Sequence, residues 1–164
     1  MPIPGIVQPD ILPVSDRLRL RKFDRVFAFA LPWYQDEDTV YLVDGVREPY
    51  TMEKLERMYR YLDRHGELYF IEAAEEEGFR PIGDVTFWQE DMPIVLGDKA
   101  YRGQQIGSQV IAALKERGRA LGYTRLYVQE IYEFNTASQR CFEKTGFRPI
   151  EKTEKGKRYM AELE

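Results

Sequence analysis

Val95-Leu96-Gly97-Asp98-Lys99-Ala100-Tyr101-Arg102-Gly103-Gln104-Gln105-Ile106-Gly107-Ser108 is the stretch that decides the fold. A short apolar run leads into it and a helical pattern leaves it. Ile106, Val110, Ile111, Leu114 and Leu121 fall on one helical face, and Gly122 supplies the stop. The segment therefore reads as a strand-to-helix junction. Gly103 and Gly107 let the backbone approach a ligand closely, the first helical amides lack intrahelical acceptors, and the helix dipole adds partial positive charge. A phosphate or pyrophosphate fits such a junction. The plainer alternative is that both glycines serve only a tight turn and helix packing. A Walker loop is excluded, because no lysine precedes Ser108 in the glycine-lysine order.

On the N-terminal side, Leu18, Leu20 and Phe23 alternate with Arg17, Arg19 and Arg21, predicting a strand with one buried face. Val26 to Leu31 predicts a short helix stopped by Pro32, and 34–50 a loop rich in acids and aromatics. Thr51 caps a helix carrying Leu55, Met58, Tyr59 and Leu62 at helical spacing. Strands at 68–73 and 82–88 form a hairpin around Glu75-Glu76-Glu77-Gly78, and 92–96 continues it as a third strand. On the C-terminal side come a strand at 126–129, a helix from Asn135 to Thr145 ended by Gly146, and strands at 147–150 and 158–161. This order predicts a mixed α/β (α+β) fold: one domain over 1–164, with 1–15 as an N-terminal extension. Its core is a central, mostly antiparallel twisted sheet flanked by helices.

The chain has 164 residues, enough to bury roughly two thirds of its unfolded surface. Hydrophobic residues at 43% and charged residues at 32% exclude a disordered chain. Twenty-four basic against 28 acidic side chains argue against a dedicated nucleic-acid binder. No apolar run approaches the roughly 20 residues of a membrane span, and the opening residues lack a basic segment followed by an apolar one. A cytoplasmic protein without membrane or nucleic-acid partners is expected. Cys141 and His65, the only cysteine and histidine, leave no zinc ligand set. Acids gather at 36–38, 75–77 and 90–91. Such runs are ordinarily solvated loops.

From about Leu18 to Met160 the sequence resembles the GCN5-related N-acetyltransferase (GNAT) superfamily, in particular its ribosomal-protein, spermidine and aminoglycoside acetyltransferases. The family's acetyl-CoA motif has Gln or Arg, two variable residues, Gly, one variable residue, then Gly or Ala. Here it reads Arg102-Gly103-Gln104-Gln105-Ile106-Gly107, with Gln105 in place of the middle glycine. Asn135-Thr136-Ala137-Ser138-Gln139-Arg140-Cys141-Phe142-Glu143-Lys144-Thr145-Gly146-Phe147 resembles the second signature. The resemblance implies that backbone groups of Val95, Leu96 and Gly97 pair with the pantetheine arm. It implies that amides from Gly103 to Ser108 hold the pyrophosphate and that Asn135 bonds the cofactor. It also implies that Phe142 lies beside the cofactor, at the position where many members carry a tyrosine that serves as general acid.

The resemblance implies acetyl transfer from acetyl-CoA, without a metal, to a primary amine. A lysine-like amine has a pKa near ~10.4, so a carboxylate or water chain must take its proton. Asp91 and Glu90 are the first candidate bases. Glu130 is the second, because its parity with Leu126 and Val128 aims it inward if the strand stays regular. For each, the alternative is a solvated carboxylate or a structural ion pair. Trp33, Tyr34 and Asp36 are candidate acceptor-binding residues, since aromatics among carboxylates suit a cation. The expected partner is a small-molecule amine (a polyamine or an aminoglycoside) or a basic protein N-terminus, and a homodimer is compatible with it. The rival reading, motivated by Phe142 and Gln105, is a catalytically silent acyl-CoA-binding regulatory module.

Overall fold

Leu18 and Leu20 are buried while Arg19 and Arg21 are only half-buried, so the alternation at 17–23 does form a one-sided strand. In the computed structural model, which describes residues 1–164, this strand is β2 (Leu18–Lys22). It lies between β1 (Ile11–Ser15) and β3 (Glu67–Glu75), and β4 (Gly78–Phe87) and β5 (Ile94–Leu96) complete a five-stranded sheet in the order β1-β2-β3-β4-β5. β1 falls within the expected N-terminal extension. It pairs antiparallel with β2, Leu12 opposite Leu20.

The chain divides into two units, Met1–Thr86 with Ile94–Arg102, and Phe87–Pro93 with Gly103–Glu164. In the first unit Pro32 does not stop a helix. A single 3-10 turn (Ala28–Ala30) runs into α1 (Leu31–Gln35), where Pro32 sits in the first turn. A proline is tolerated there because that amide has no helical acceptor. The predicted loop at 34–50 contains α2 (Glu37–Asp44), capped by Asp36 and closed by Gly45 at φ 75°. A capping Asp and a left-handed Gly are the ordinary ends of a helix. α3 (Met52–His65) begins at Thr51 as expected, the hydroxyl accepting from the Lys54 amide at 3.2 Å. It buries Leu55, Tyr59 and Leu62. Each such side chain removed from water contributes about 1.5–3 kcal/mol.

The second unit contains α4 (Ile106–Ala120), β6 (Arg125–Tyr132), α5 (Thr136–Lys144), β7 (Arg148–Lys152) and β8 (Gly156–Glu162). Its three strands form a separate sheet, β6-β8-β7, antiparallel at both interfaces. α5 therefore carries the chain from β6 over β8 to the edge strand β7. Every residue of β7 is exposed. Val110, Ile111 and Leu114 of α4, Leu126 and Val128 of β6, and Phe142 of α5 are buried. The register of β6 against β8 shifts between Val128 and Ile131, so Ile131, not Glu130, takes the next buried position. This bulge overturns the inward aim expected for Glu130, which assumed unbroken alternation.

Candidate active site

Gly103 has φ 80° and Gln105 φ 60°, so the backbone ahead of α4 turns through the left-handed region twice in three residues. Gln105 is the N-cap of α4 and makes no side-chain cap bond. The first amides of a 15-residue helix are thus left open toward an anion, with the dipole behind them. A Cβ on Gly103 would meet nothing within 4 Å. This arrangement fits the phosphate groups of a CoA. Gln105 accounts for its own departure from the motif: the position calls for a left-handed residue, and Gln adopts that conformation at a strain on the order of 1 kcal/mol. Its side-chain oxygen accepts from Lys144 of α5. Gln104 and Gln105 are exposed, Ile106 is buried, and Ser108 Oγ lies 3.5 Å from Cys141 Sγ.

Gly107 is required for packing. A Cβ there would come within 2.6 Å of Cys141 Sγ on α5, so the glycine sets the approach of α4 to α5. Asn135 caps α5, its Oδ1 accepting from the Ser138 amide at 3.1 Å. Phe142 is 1% exposed and packs edge-on against Phe147 with ring centroids 5.1 Å apart. It is a core aromatic, and its expected place beside the cofactor is corrected accordingly. An apolar ring at the tyrosine position is simply taken up by the core.

In the first unit β5 is an edge strand, so one side of its backbone has no strand partner in the sheet. Val95 stands opposite Asp84 and Leu96 opposite Gly83. The Leu96 carbonyl already accepts from Arg102, through Nη2 at 2.9 Å and Nε at 3.2 Å. That oxygen and the Arg102 guanidinium are therefore engaged with each other. The Val95 carbonyl faces β4, where a Cβ on Gly83 would lie 2.3 Å from it. Gly97 is fixed by Trp33, whose ring atoms would lie 2.3 Å from a Cβ at that position.

The acceptor candidates are arranged differently from expectation. Tyr34 is fully buried, and its hydroxyl donates to Asp84 Oδ2 at 2.6 Å. Tyr59 donates to the same oxygen at 2.8 Å. Burial pushes the Asp84 carboxyl up to about 6, against the lowering effect of the two hydroxyls. Asp36 accepts from Lys99 Nζ at 2.8 Å and from the amide and hydroxyl of Thr39. The Lys99 hydrogen bond, foremost, brings its carboxyl down to about 2. Asp38 pairs with Arg47 and Asp44 with Lys54. Asp36, Asp38 and Asp44 thus already face cations of this chain. Of the three expected acceptor residues, Trp33 alone stays half-buried without an ionic or hydrogen-bonded task.

The three candidate bases all belong to the second unit. Gln129 fastens the 89–91 segment to β6: its amide donates to Asp91 Oδ1 at 3.1 Å and its side chain to the Glu90 carbonyl at 2.8 Å. The Asp91 Oδ1 also accepts from the Met92 amide at 3.0 Å, while Oδ2 takes no bond from the protein. Burial raises the Asp91 carboxyl above the usual range, opposed by those two amides. Glu90 is exposed and lies 3.7 Å from Arg158 Nη2. Glu130 holds the turn before β8 through the Lys155 amide at 3.0 Å. Its carboxyl is lowered by the Thr153 side chain and that amide. Asp91 is anchored through one oxygen and open at the other, which suits a proton acceptor; Glu130 is tied down in its charged form. Two working residues escaped the sequence reading. The bonds from Arg102 to Thr39 and from Tyr34 to Asp84 carry no short-range signature, because they span 63 and 50 positions.

Residues 27–147 match the sequence model described as the acetyltransferase (GNAT) family. Comparison with curated protein sequences yields no significant match. Among solved structures, a domain from Methanocaldococcus jannaschii is similar at 19% identity with a TM-score of 0.78, covering 91% of this chain and 100% of that one. The aminoglycoside-bound AAC(6')-Ib in complex with acetyl-CoA is similar at 18% identity and a TM-score of 0.72, over 90% of this chain and 94% of that one. An acetyltransferase from Salmonella typhimurium that modifies the N-terminal serine of a 50S ribosomal protein has 19% identity and a TM-score of 0.70, over 94% and 99%. With the family match running across well over half of the sequence, the chain belongs to the acetyltransferase (GNAT) family.

Proposed function

We propose that the protein transfers the acetyl group of acetyl-CoA to a primary amine by direct attack. The observation that carries this reading is the uncapped N-terminus of α4 behind the left-handed turn at Gly103 and Gln105, on a chain of this family. Structures bound to CoA or acetyl-CoA among those similar to this chain support the choice of cofactor. The amides of Gly103 to Ser108 hold the pyrophosphate, the open edge of β5 at 95–97 takes the pantetheine arm, and Asn135 shares its cap role with the cofactor.

A thioester is already activated, so the residues present must deliver a neutral amine and accommodate the tetrahedral oxyanion. Asp91 takes the amine proton through its open oxygen. Its burial brings the carboxyl closer to the operating pH, where a base works best. The nitrogen forms the new bond to the acyl carbon, the carbon-sulfur bond breaks, and the thiolate leaves to be protonated by water. Because Asp36, Asp38 and Asp44 are paired internally, their charge does not favour a polycation over a simple amine.

The test is release of free CoA from acetyl-CoA across a panel containing spermidine, kanamycin and a serine-terminated peptide. Amine-dependent release supports transfer. Thermal stabilisation by CoA without release by any amine would support the silent-module reading instead.

A further inference from the structure

α2 spans only eight residues, too short to persist by its own hydrogen bonds, so its order depends on what it is tied to. Its N-terminus is capped by Asp36, whose Oδ2 accepts from both the amide and the hydroxyl of Thr39, at 2.9 and 2.8 Å. That hydroxyl has one proton, and it is committed to Asp36. Its lone pair receives Arg102 Nη2 at 3.0 Å, and the same guanidinium grips the Leu96 carbonyl of β5. Thr39 is 2% exposed, so this relay is shielded from water. A second tie, Lys99 to Asp36, is half exposed at the lysine and correspondingly weak. Trp33 on Gly97 adds an apolar contact from α1.

The chain of bonds from Leu96 through Arg102, Thr39 and Asp36 to the first amides of α2 is continuous. A guanidinium is planar and its donors are fixed relative to one another. Anything that immobilises the β5 backbone therefore immobilises the donor that Thr39 accepts. We propose that Thr39 is a positioning residue that couples the cofactor strand β5 to α2, so that CoA bound along β5 stiffens α2. This rests on the acetyl-CoA reading above.

Hydrogen exchange of the full chain, with and without CoA, tests it, thermal shift reporting binding in the same samples. CoA is expected to slow exchange in α2 by about fivefold or more, within the usual range for coupled sites, and to leave the middle of α3 unchanged. Thr39→Ser, which keeps the hydroxyl, should preserve the effect. Thr39→Val should still bind CoA but lose the slowing in α2. Binding without slowing in the parent, or slowing retained in Thr39→Val, overturns the proposal and leaves the acetyl-CoA reading intact. No binding to the parent overturns both. Should Thr39→Val fail to fold, as seen by circular dichroism, the parent comparison alone decides.

Discussion

The Tyr34 hydroxyl donates to Asp84 Oδ2 across 2.6 Å, joining α1 to β4 inside the first unit. Since burial raises the Asp84 carboxyl to about 6 from the ordinary 3.8, the folded state holds its proton more tightly than the unfolded chain. The stability this contributes is fully present below pH 3.8 and is lost as pH rises through about 6. Relative to Asp84→Asn, the parent should lose on the order of 1–3 kcal/mol between those limits. Urea unfolding of both proteins at intervals from about pH 4 to pH 7 measures this. Parallel curves would show that Asp84 is not the titrating group. Asp36, whose carboxyl is lowered to about 2, acts with the opposite sign and only in more acid solution.

Tyr34→Phe removes one of two hydroxyls from a buried acceptor and should destabilise by about 1–3 kcal/mol. Chemical denaturation reads the change. The same variant distinguishes the buried role from acceptor binding, because the KM for any amine accepted by the parent should stay unchanged.

Gly107→Ala places a methyl group against Cys141 Sγ and should destabilise by about 1–3 kcal/mol, the usual effect of overpacking. Cys141→Ala in the same chain should restore most of that loss. Thermal unfolding of the single and double variants, with and without CoA, separates helix packing from phosphate binding. If the double variant regains stability yet not CoA affinity, the glycine serves both.

Asp91→Asn can still accept the Gln129 and Met92 amides but cannot take a proton. Turnover should fall by about 10²–10⁴ at neutral pH and recover partly as rising pH deprotonates the amine. Glu130→Gln should leave turnover near that of the parent and alter stability only, through the Thr153 and Lys155 contacts. Equal pH-rate profiles for Asp91→Asn and parent would remove Asp91 from the mechanism.

Phe142→Tyr adds a hydroxyl to a ring packed against Phe147 with 1% exposure. It should cost about 1 kcal/mol or more of stability with no gain in rate. A large acceleration of CoA release would show that the parent lacks an acid at this position and needs one.

Elements built on a regular period were legible from sequence: β2 from its Arg-Leu alternation, α3 from Thr51 and its apolar stripe, and α4 and α5 with the glycines at 122 and 146. α1 and α2 were hidden because Pro32 reads as a terminator when it is in fact a first-turn residue, and because aromatics and acids at 34–44 mask the cap at Asp36. Parity placed Glu130 wrongly because a bulge leaves no mark in the residues themselves. The left-handed turn at Gly103 ahead of α4 was visible because such a backbone calls for glycine. Arg102 engaging Leu96 and Thr39, and Tyr34 turning inward to Asp84, depend on side-chain direction across long separations, which neither spacing nor composition encodes.

The exposed edge strand β7 reads Arg148-Pro149-Ile150-Glu151-Lys152. Two copies pairing antiparallel about Ile150 would set Arg148 against Lys152 twice, and Pro149 has no amide to contribute to a ladder. Like charges facing one another and a missing donor both discourage edge-to-edge growth. The strand that closes the second sheet thus also guards it against extension by another copy.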